Sequence, residues 1–262
     1  MRRRFSSPLC RFVAGAAALA VAAAFVPDAS AAGFGDATGQ VVLDGEAPKL
    51  APVPVPKGAA ACGANPKDFR LVLGKGNGIA HVFLYPSRPI RNVNPALKAP
   101  KNKTIEFDQL NCVFKPHALI VRTDQTVELF NSDPFPHNVR FTSFGNPGVN
   151  KNVPAGLAPG PGVKGIPVKF RRAQQVPIPA LCDFHPWMKS NWLIVDHPYA
   201  ALTDEDGNFE IKGLPAGKHT FTVWHESAGF LDRTLTIEVK PNAVTKLGKL
   251  KYDLAAFKQL KK

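Results

Sequence analysis

One short stretch of this sequence holds three side chains with metal-binding chemistry at a constant spacing. In LCDFHPWMKSNW (residues 181–192), Cys182, His185 and Met188 stand three residues apart. Met188 is one of only two methionines in the chain, and the other is Met1. Thiolate, imidazole and thioether are soft or borderline ligands, so the set suits copper better than zinc, calcium or magnesium. Each residue taken singly also fits a packing role, but the spacing of all three favours copper.

A copper site of this kind needs a second histidine from another part of the chain. FNSDPFPHNVRF (residues 130–141) offers His137, between a proline-rich turn and a strand-like segment. A residue at such a boundary lies at the end of a sheet, and Pro134 and Pro136 stiffen the approach to it. We therefore expect His137 to complete the ligand set. His117 is a candidate for a fifth metal-related group, but a half-buried strand histidine is the simpler interpretation.

The two segments together resemble the cupredoxins, in particular the amicyanin-like blue copper domains, which have Pro-His-Asn-Val before a Cys-x-x-His-Pro-aromatic-Met loop. The resemblance covers about ninety residues, 103–197, which is a usual size for a small domain. It implies a Greek-key β-sandwich with one type 1 copper ion. The ligands that it implies are His137, Cys182, His185 and Met188. Chains with a similar layout are often labelled methylamine utilisation proteins, but no residue here indicates a methylamine substrate.

The flanking segments resemble a carboxypeptidase-regulatory-like, transthyretin-like β-domain. TDEDGNFEIKGLPAGKHTFTVWHE (203–226) is similar to its second half, and GQVVLDGEAP (39–48) with HVFLYPS (81–87) to its first. We expect residues 32–102 and 198–262 to form the two halves of this domain, with the cupredoxin domain of residues 103–197 inserted between them. Two tandem units are the alternative.

Strand patterns and turn residues predict an all-β protein. Together with the two resemblances, this implies a Greek-key cupredoxin sandwich inserted in, or packed beside, a second and smaller sandwich. The strand-like segments alternate in polarity or are rich in β-branched and aromatic residues. They include TVELF (126–130), NWLIV (191–195), HTFTVW (219–224) and LTIEVK (235–240). We expect the Gly- and Pro-rich residues 145–165 to form an irregular loop. Only the C-terminal YDLAAFKQLKK has a weak helical spacing.

The first 31 residues have the order of a secretory signal peptide. Three arginines at 2–4 precede an uncharged apolar run at 12–26, and small residues follow at 29 and 31. The run is short for a membrane-spanning helix, so we expect cleavage, a periplasmic or secreted protein and no stable membrane insertion. An uncleaved anchor is the alternative. The arginines leave Sec and twin-arginine export both open.

Export leaves an odd number of cysteines. Of the four in the chain, Cys10 lies in the signal segment, and Cys62, Cys112 and Cys182 remain. An odd cysteine in an exported protein suggests a thiol with a task, and only Cys182 has ligand-type neighbours. We therefore predict a disulfide between Cys62 and Cys112. The chain has no CxxC or CxxCH motif for a zinc ribbon, a redox pair or haem attachment.

The ligand set predicts electron transfer and no enzymatic activity. A strong thiolate and a weak thioether hold copper between the geometries that its two oxidation states prefer, with no open position for a substrate. No nucleophile–base pair, phosphate loop or carboxylate pair has a local signature. The alternatives are a periplasmic copper-binding or delivery protein, and a relay domain of an enzyme with another metal.

Charge and apolar residues predict how a partner binds. The formal charge is +13 and falls to +10 without residues 1–31, which carry four arginines and one aspartate. We therefore expect an acidic redox partner protein and no nucleic acid. Phe135, Pro186 and Trp187 flank the two histidine ligands and are the expected electron-transfer surface around His185.

Overall fold

The computed structural model describes residues 33–53, 62 and 68–261. The signal-peptide prediction for residues 1–31 lies outside this range. The described part of the chain contains sixteen β-strands, four short 3₁₀ helices and no α-helix, which confirms the predicted all-β class. None of the helices in these ranges is long and apolar enough to cross a membrane.

The strands are two to eleven residues long. They are β1 (Phe34–Asp44), β2 (Phe83–Pro86), β3 (Thr104–Gln109), β4 (Phe114–Lys115), β5 (Ala118–Arg122), β6 (Thr126–Leu129), β7 (His137–Phe141), β8 (Val149–Val153), β9 (Ile166–Lys169), β10 (Ile178–Leu181), β11 (Lys189–Val195), β12 (Ala201–Leu202), β13 (Asn208–Pro215), β14 (Gly217–His225), β15 (Gly229–Val239) and β16 (Val244–Asp253). The 3₁₀ helices are Lys75–Asn77, Pro95–Leu97, Leu254–Ala256 and Lys258–Lys261.

Strands β3 to β11 form two sheets that share one core. One sheet has the order β5-β11-β10-β7-β8 and the other β4-β3-β6-β9. Buried and more exposed side chains alternate along β6 and β10, so these strands turn one face inward, whereas β11 is buried on both faces. Phe107 and Val127 from one sheet pack in the same cluster as Phe141 and Trp192 from the other, and all four are almost fully buried. Burying each such side chain contributes on the order of 1.5–3 kcal/mol, which fixes the sandwich that carries the site.

The remaining strands form two further sheets that combine the two ends of the chain. β1 pairs with β13 antiparallel and with β16 parallel, and β2 pairs with β12 and β14. A second buried cluster joins β1 residues such as Val41 to Phe209, Phe221 and Ile237. A third cluster includes Phe83 of β2 and Leu193 of β11, so β2 also packs against the first sandwich.

Two local predictions are wrong. Residues 145–165 are not one irregular loop, because β8 pairs antiparallel with β7, from His137 opposite Val153 to Phe141 opposite Val149. The glycines and prolines lie on either side of these five residues and leave their backbone free to pair. The C-terminal segment is also not one helix. Its first residues extend β16 to Asp253, and the buried Phe257 separates two short 3₁₀ helices.

Candidate metal centre

The four predicted ligands lie at one end of the five-stranded sheet. Cys182 directly follows β10, and Met188 directly precedes β11. β10 and β11 pair up to Leu181 opposite Lys189, so residues 182–188 form a short connection between adjacent strands. His137 is the first residue of β7, which runs antiparallel to β10. The start of β7 and the end of β10 therefore lie at the same end of the sheet.

Backbone hydrogen bonds fold the 182–188 loop back on itself. The Met188 amide donates to the His185 carbonyl at 2.8 Å, and the Cys182 amide donates to the Met188 carbonyl at 3.3 Å. These bonds hold the three ligand-type residues of the loop at the sheet end. The Met188 side chain is buried in the same core cluster as Cys182.

Three donor atoms converge in this loop and β7. The Cys182 sulfur lies 3.8 Å from Nδ1 of His137 and 3.7 Å from Nδ1 of His185. Cys182 and His137 are buried, and His185 is half-buried. A metal ion bonded to sulfur at about 2.3 Å and to nitrogen at about 2.05 Å requires S···N separations of about 3.8 Å at a trigonal angle. The donor set therefore fits a metal ion with two imidazoles and one thiolate.

A buried carboxylate orients the His137 ring. Nε2 of His137 lies 2.8 Å from Oδ2 of Asp133, and both side chains are almost fully buried. Because an ionised carboxylate only accepts hydrogen bonds, Nε2 carries the proton and Nδ1 presents its lone pair toward Cys182. Metal-binding histidines commonly donate their other ring N–H to a carboxylate in this way.

Burial sets the protonation states of the donors. Burial lowers the pKa of His137, although the Asp133 carboxylate opposes it, and burial together with the neighbouring His137 lowers the pKa of His185. Both imidazoles are therefore neutral near pH 7 and have a free lone pair. Burial raises the pKa of the Cys182 thiol, although nearby backbone amides oppose it. A metal ion bound by Cys182 would therefore displace one thiol proton.

Asn138 joins the two ligand segments. Oδ1 of Asn138 accepts a hydrogen bond from the Asp183 amide at 2.6 Å. Nδ2 of Asn138 donates to Oδ2 of Asp183 at 2.8 Å and to Oδ1 of Asn150 at 2.9 Å. Asp183 also accepts a hydrogen bond from Arg140 at 2.6 Å, and this bond lowers the pKa of the Asp183 carboxyl. Asn138 is buried, so it fixes β7 against the loop that begins at Cys182.

Replacement of Asn138 by alanine is expected to loosen this connection. Loss of three hydrogen bonds at a buried position should lower the free energy of unfolding by about 2–3 kcal/mol and the affinity of this donor set for a metal ion by roughly 10- to 100-fold. Urea unfolding and competition with a copper chelator measure the two effects. Asn150→Ala is the matched control, because it removes only one of these bonds at an exposed position. Equal effects of the two substitutions would contradict this role of Asn138.

The structure contains the Cys62–Cys112 disulfide, and Cys182 is a free, buried cysteine.

Of the expected electron-transfer surface, Pro186 is exposed, and Phe135 and Trp187 are half-buried. Nε1 of Trp187 donates to the Cys112 carbonyl at 3.2 Å, so its ring is held against the disulfide. Phe184, which the sequence analysis did not select, lies in the 182–188 loop and is 52% exposed.

A second cluster of buried charged groups lies outside the metal site. Nε2 of His117 is hydrogen-bonded to Oε1 of Glu226, and both side chains are buried; Nζ of Lys189 lies 3.3 Å from the other Glu226 oxygen. Burial alone would raise the pKa of Glu226, but the bond from His117 and the charges of His117 and Lys189 outweigh it and lower that pKa to about 2. His117 is thus a buried, paired histidine, rather than the half-buried strand histidine expected, and it is not in the converging donor set.

Sequence reasoning missed two residues of the site, Asp133 and Asn138. Both stand close to His137 in NSDPFPHN, and Asn138 also belongs to the Pro-His-Asn-Val motif that carries the resemblance. A carboxylate four residues before a ligand histidine does not by itself indicate a hydrogen bond to its ring.

Comparison of this chain with known proteins gives matches among solved structures only. No family model matches it, and no curated protein matches its sequence. Among solved structures, an oxidized mutant of amicyanin is 18% identical with a TM-score of 0.29, covering 36% of this chain and 84% of amicyanin. A reduced amicyanin mutant is also 18% identical with a TM-score of 0.29, covering 44% and 98%.

A Cu-containing nitrite reductase from Thermus scotoductus SA-01 is 18% identical with a TM-score of 0.30. The match covers 41% of this chain and 27% of the reductase.

Proposed function

We propose that this protein is an exported type 1 copper protein that carries single electrons between redox partners. The observation that supports the proposal is the convergence of the Cys182 sulfur with Nδ1 of His137 and of His185 at 3.8 and 3.7 Å. The buried Met188 at the same sheet end is the proposed weak fourth ligand. One thiolate, two imidazoles and a distant thioether are the ligand set of blue-copper electron-transfer sites.

Bound copper supplies the one-electron couple, and the protein supplies a fixed environment for it. Asp133 holds the His137 ring, and Asn138 holds β7 against the ligand loop. Donors held in this way need little rearrangement when the charge of the centre changes. Burial of Cys182 and His137 keeps water away from these two donors, and the half-buried His185 is the donor nearest to solvent.

Copper binding or delivery without an electron-transfer role is the second candidate. The free Cys182 thiol and the half-buried His185 leave a route by which copper enters or leaves. The buried hydrogen bonds from Asp133 and Asn138 favour the carrier instead, because a delivery site must release its metal readily.

Voltammetry of the copper-loaded protein in the presence of a copper chelator separates the two candidates. A carrier should cycle reversibly many times and retain its copper. A delivery protein should lose copper to the chelator within the first cycles, and that result would contradict the electron-carrier proposal.

Met188 is expected to tune the reduction potential more than the affinity. Met188→Leu should raise the potential by removing a donor that favours Cu(II), and Met188→Gln should lower it by supplying a harder oxygen. We expect shifts of at least ~60 mV, which is a tenfold change in the equilibrium of a one-electron couple. Voltammetry measures both variants. An unchanged potential in both would mean that Met188 is not a ligand.

We propose an acidic protein as the redox partner, docked around His185. The exposed Pro186 and Phe184 and the half-buried Phe135 and Trp187 provide a small apolar surface beside the donors. Small interfaces suit short-lived redox encounters. The formal charge of +10 on the chain without residues 1–31 would speed the approach of an acidic partner, and added salt would weaken this effect.

A periplasmic or secreted location is part of the proposal. The Cys62–Cys112 disulfide supports it, because disulfides persist mainly in oxidising compartments.

We also propose that residues 32–102 and 198–262 are halves of one regulatory-like domain around residues 103–197. The pairing of β1 with β13 and β16, and of β2 with β14, supports a shared core. A fragment of residues 198–262 should then lack a cooperative unfolding transition, because its sheets lose their central strands β1 and β2. Urea unfolding monitored by circular dichroism tests this, with the 33–262 chain as the control. Cooperative unfolding of the isolated fragment would show that the two halves do not depend on each other.

A further inference from the structure

The disulfide lies against the candidate metal centre. The sulfurs of Cys62 and Cys112 and a ring nitrogen of His185 all lie within 4.8 Å of one another. The Cys112 sulfur also lies within 4.8 Å of a carboxylate oxygen of Asp133 and a ring nitrogen of His137. His185 therefore belongs to two donor sets, one with Cys182 and His137 and the other with the disulfide sulfurs.

We propose that Cys62 and Cys112, once reduced, form with His185 a second metal site that is selective for Cu(I). Two thiolates and an imidazole are a soft donor set, which favours Cu(I) over harder ions. The site needs no atom of Cys182. It therefore goes beyond the proposed electron-carrier function, and failure of either proposal would leave the other unaffected.

The chemistry requires a dithiol reductant. The reductant attacks the S–S bond through a mixed disulfide and is itself oxidised to a disulfide, while Cys62 and Cys112 together accept two electrons and two protons and become thiols. Binding of Cu(I) then forms two Cu–S bonds and releases the two thiol protons. No change in the oxidation state of copper is needed.

The structure holds Cys112 in place by contacts that do not involve the S–S bond. Its amide donates to Oδ2 of Asp133 at 2.9 Å, and its carbonyl accepts from Nε1 of Trp187 at 3.2 Å. The preceding amide, of Asn111, donates to Oδ1 of the same carboxylate at 2.6 Å. Both residues have positive φ, 58° and 52°, a conformation that costs energy outside glycine and persists only where contacts enforce it. Cys112 should therefore keep its position beside His185 after reduction.

Cys62, the other cysteine of the disulfide, is accessible to a reductant. Cys62 is half-buried, whereas Cys112 is fully buried. A dithiol therefore reaches the Cys62 sulfur more readily, and Cys112 is the thiol that leaves. A Cu(I) ion bound to this pair would lie beside His185 and next to the Cys182 site, which makes the pair an entry point for copper.

The experiment uses the Cys182→Ser protein, in which the first site lacks its thiolate. Cu(I) is titrated anaerobically against the chelator bicinchoninate, before and after treatment with dithiothreitol and its removal. We expect the reduced protein to bind one Cu(I) per chain about a hundredfold or more tighter than the oxidised protein, which corresponds to about 2.8 kcal/mol. X-ray absorption should find two sulfurs and one nitrogen around the metal.

Two further variants give the controls. In Cys182→Ser with Cys62→Ser and Cys112→Ser, dithiothreitol should make no difference to Cu(I) binding. Adding His185→Ala to Cys182→Ser should weaken Cu(I) binding by the reduced protein about tenfold, or 1.4 kcal/mol. Equal affinity before and after reduction would overturn the proposal, as would loss of the β-sheet circular dichroism signal on reduction. A colourless wild-type protein would instead count against the electron-carrier function and leave this test intact.

Discussion

Replacement of Cys182 by serine is expected to abolish the blue or green colour of the copper-loaded protein while leaving the fold intact. The colour of a type 1 site arises from charge transfer between the thiolate and Cu(II), and a serine hydroxyl does not provide it. Copper affinity should fall by more than the roughly 10- to 100-fold typical of losing a hydrogen-bond partner of a ligand. Serine is close to cysteine in size, so the buried position should remain filled.

Optical spectra of copper-loaded wild type and Cys182→Ser measure this effect, and circular dichroism confirms the fold. Met188→Leu is the matched control, because it removes a proposed ligand from the same loop but keeps the thiolate and hence the colour. A Cys182→Ser protein that stays coloured would exclude Cys182 as the source of the charge transfer.

Replacement of Glu226 by alanine is expected to destabilise the fold by about 3–5 kcal/mol, because it leaves His117 and Lys189 without their shared buried carboxylate. The Glu226 side chain is 7% exposed. Glu210→Ala is the matched control. It removes the exposed Lys212–Glu210 ion pair and should cost no more than about 1 kcal/mol. Urea unfolding at pH 7 measures both, and similar costs for the two variants would contradict the role of the buried pair.

Because of the Glu226 carboxylate, the stability of the fold should depend on pH. The pKa of Glu226 is lowered in the folded chain from 4.5 to about 2, so its contribution to stability is fully present above pH 4.5. That contribution should be lost progressively as the pH falls from 4.5 toward 2. Glu226→Gln keeps the shape of the side chain but not its charge, and should lack this part of the pH dependence. An identical pH profile for wild type and Glu226→Gln would show that the carboxyl does not titrate there.

The chemistry of the site is largely readable from local sequence, because its donors lie in two short segments. Cys182, His185 and Met188 fall in one loop between adjacent strands, and the β-branched and aromatic residues of NWLIV (191–195) predict the strand that follows it. Copper is favoured by residue types alone, since softness is a property of the side chain.

The supporting contacts are not readable in this way, because they join residues that are distant in sequence. Asn138 reaches Asp183 across 45 positions, and Glu226 reaches His117 across 109. The pairing of Cys62 with Cys112 follows from counting cysteines, but the closeness of their sulfurs to His185 depends on how the loops pack. Strand β8 could not be predicted for a different reason. Its five residues show no clear strand pattern, and the glycines and prolines on both sides predict a loop.

The most direct test of a type 1 copper centre is the optical and electron paramagnetic resonance spectrum of the protein loaded with one equivalent of Cu(II). Donors at the observed S···N separations of 3.7–3.8 Å should give an intense thiolate-to-copper absorption band and the small copper hyperfine splitting of a highly covalent Cu–S bond. A colourless, folded protein that binds Cu(II) with a large hyperfine splitting would contradict the account.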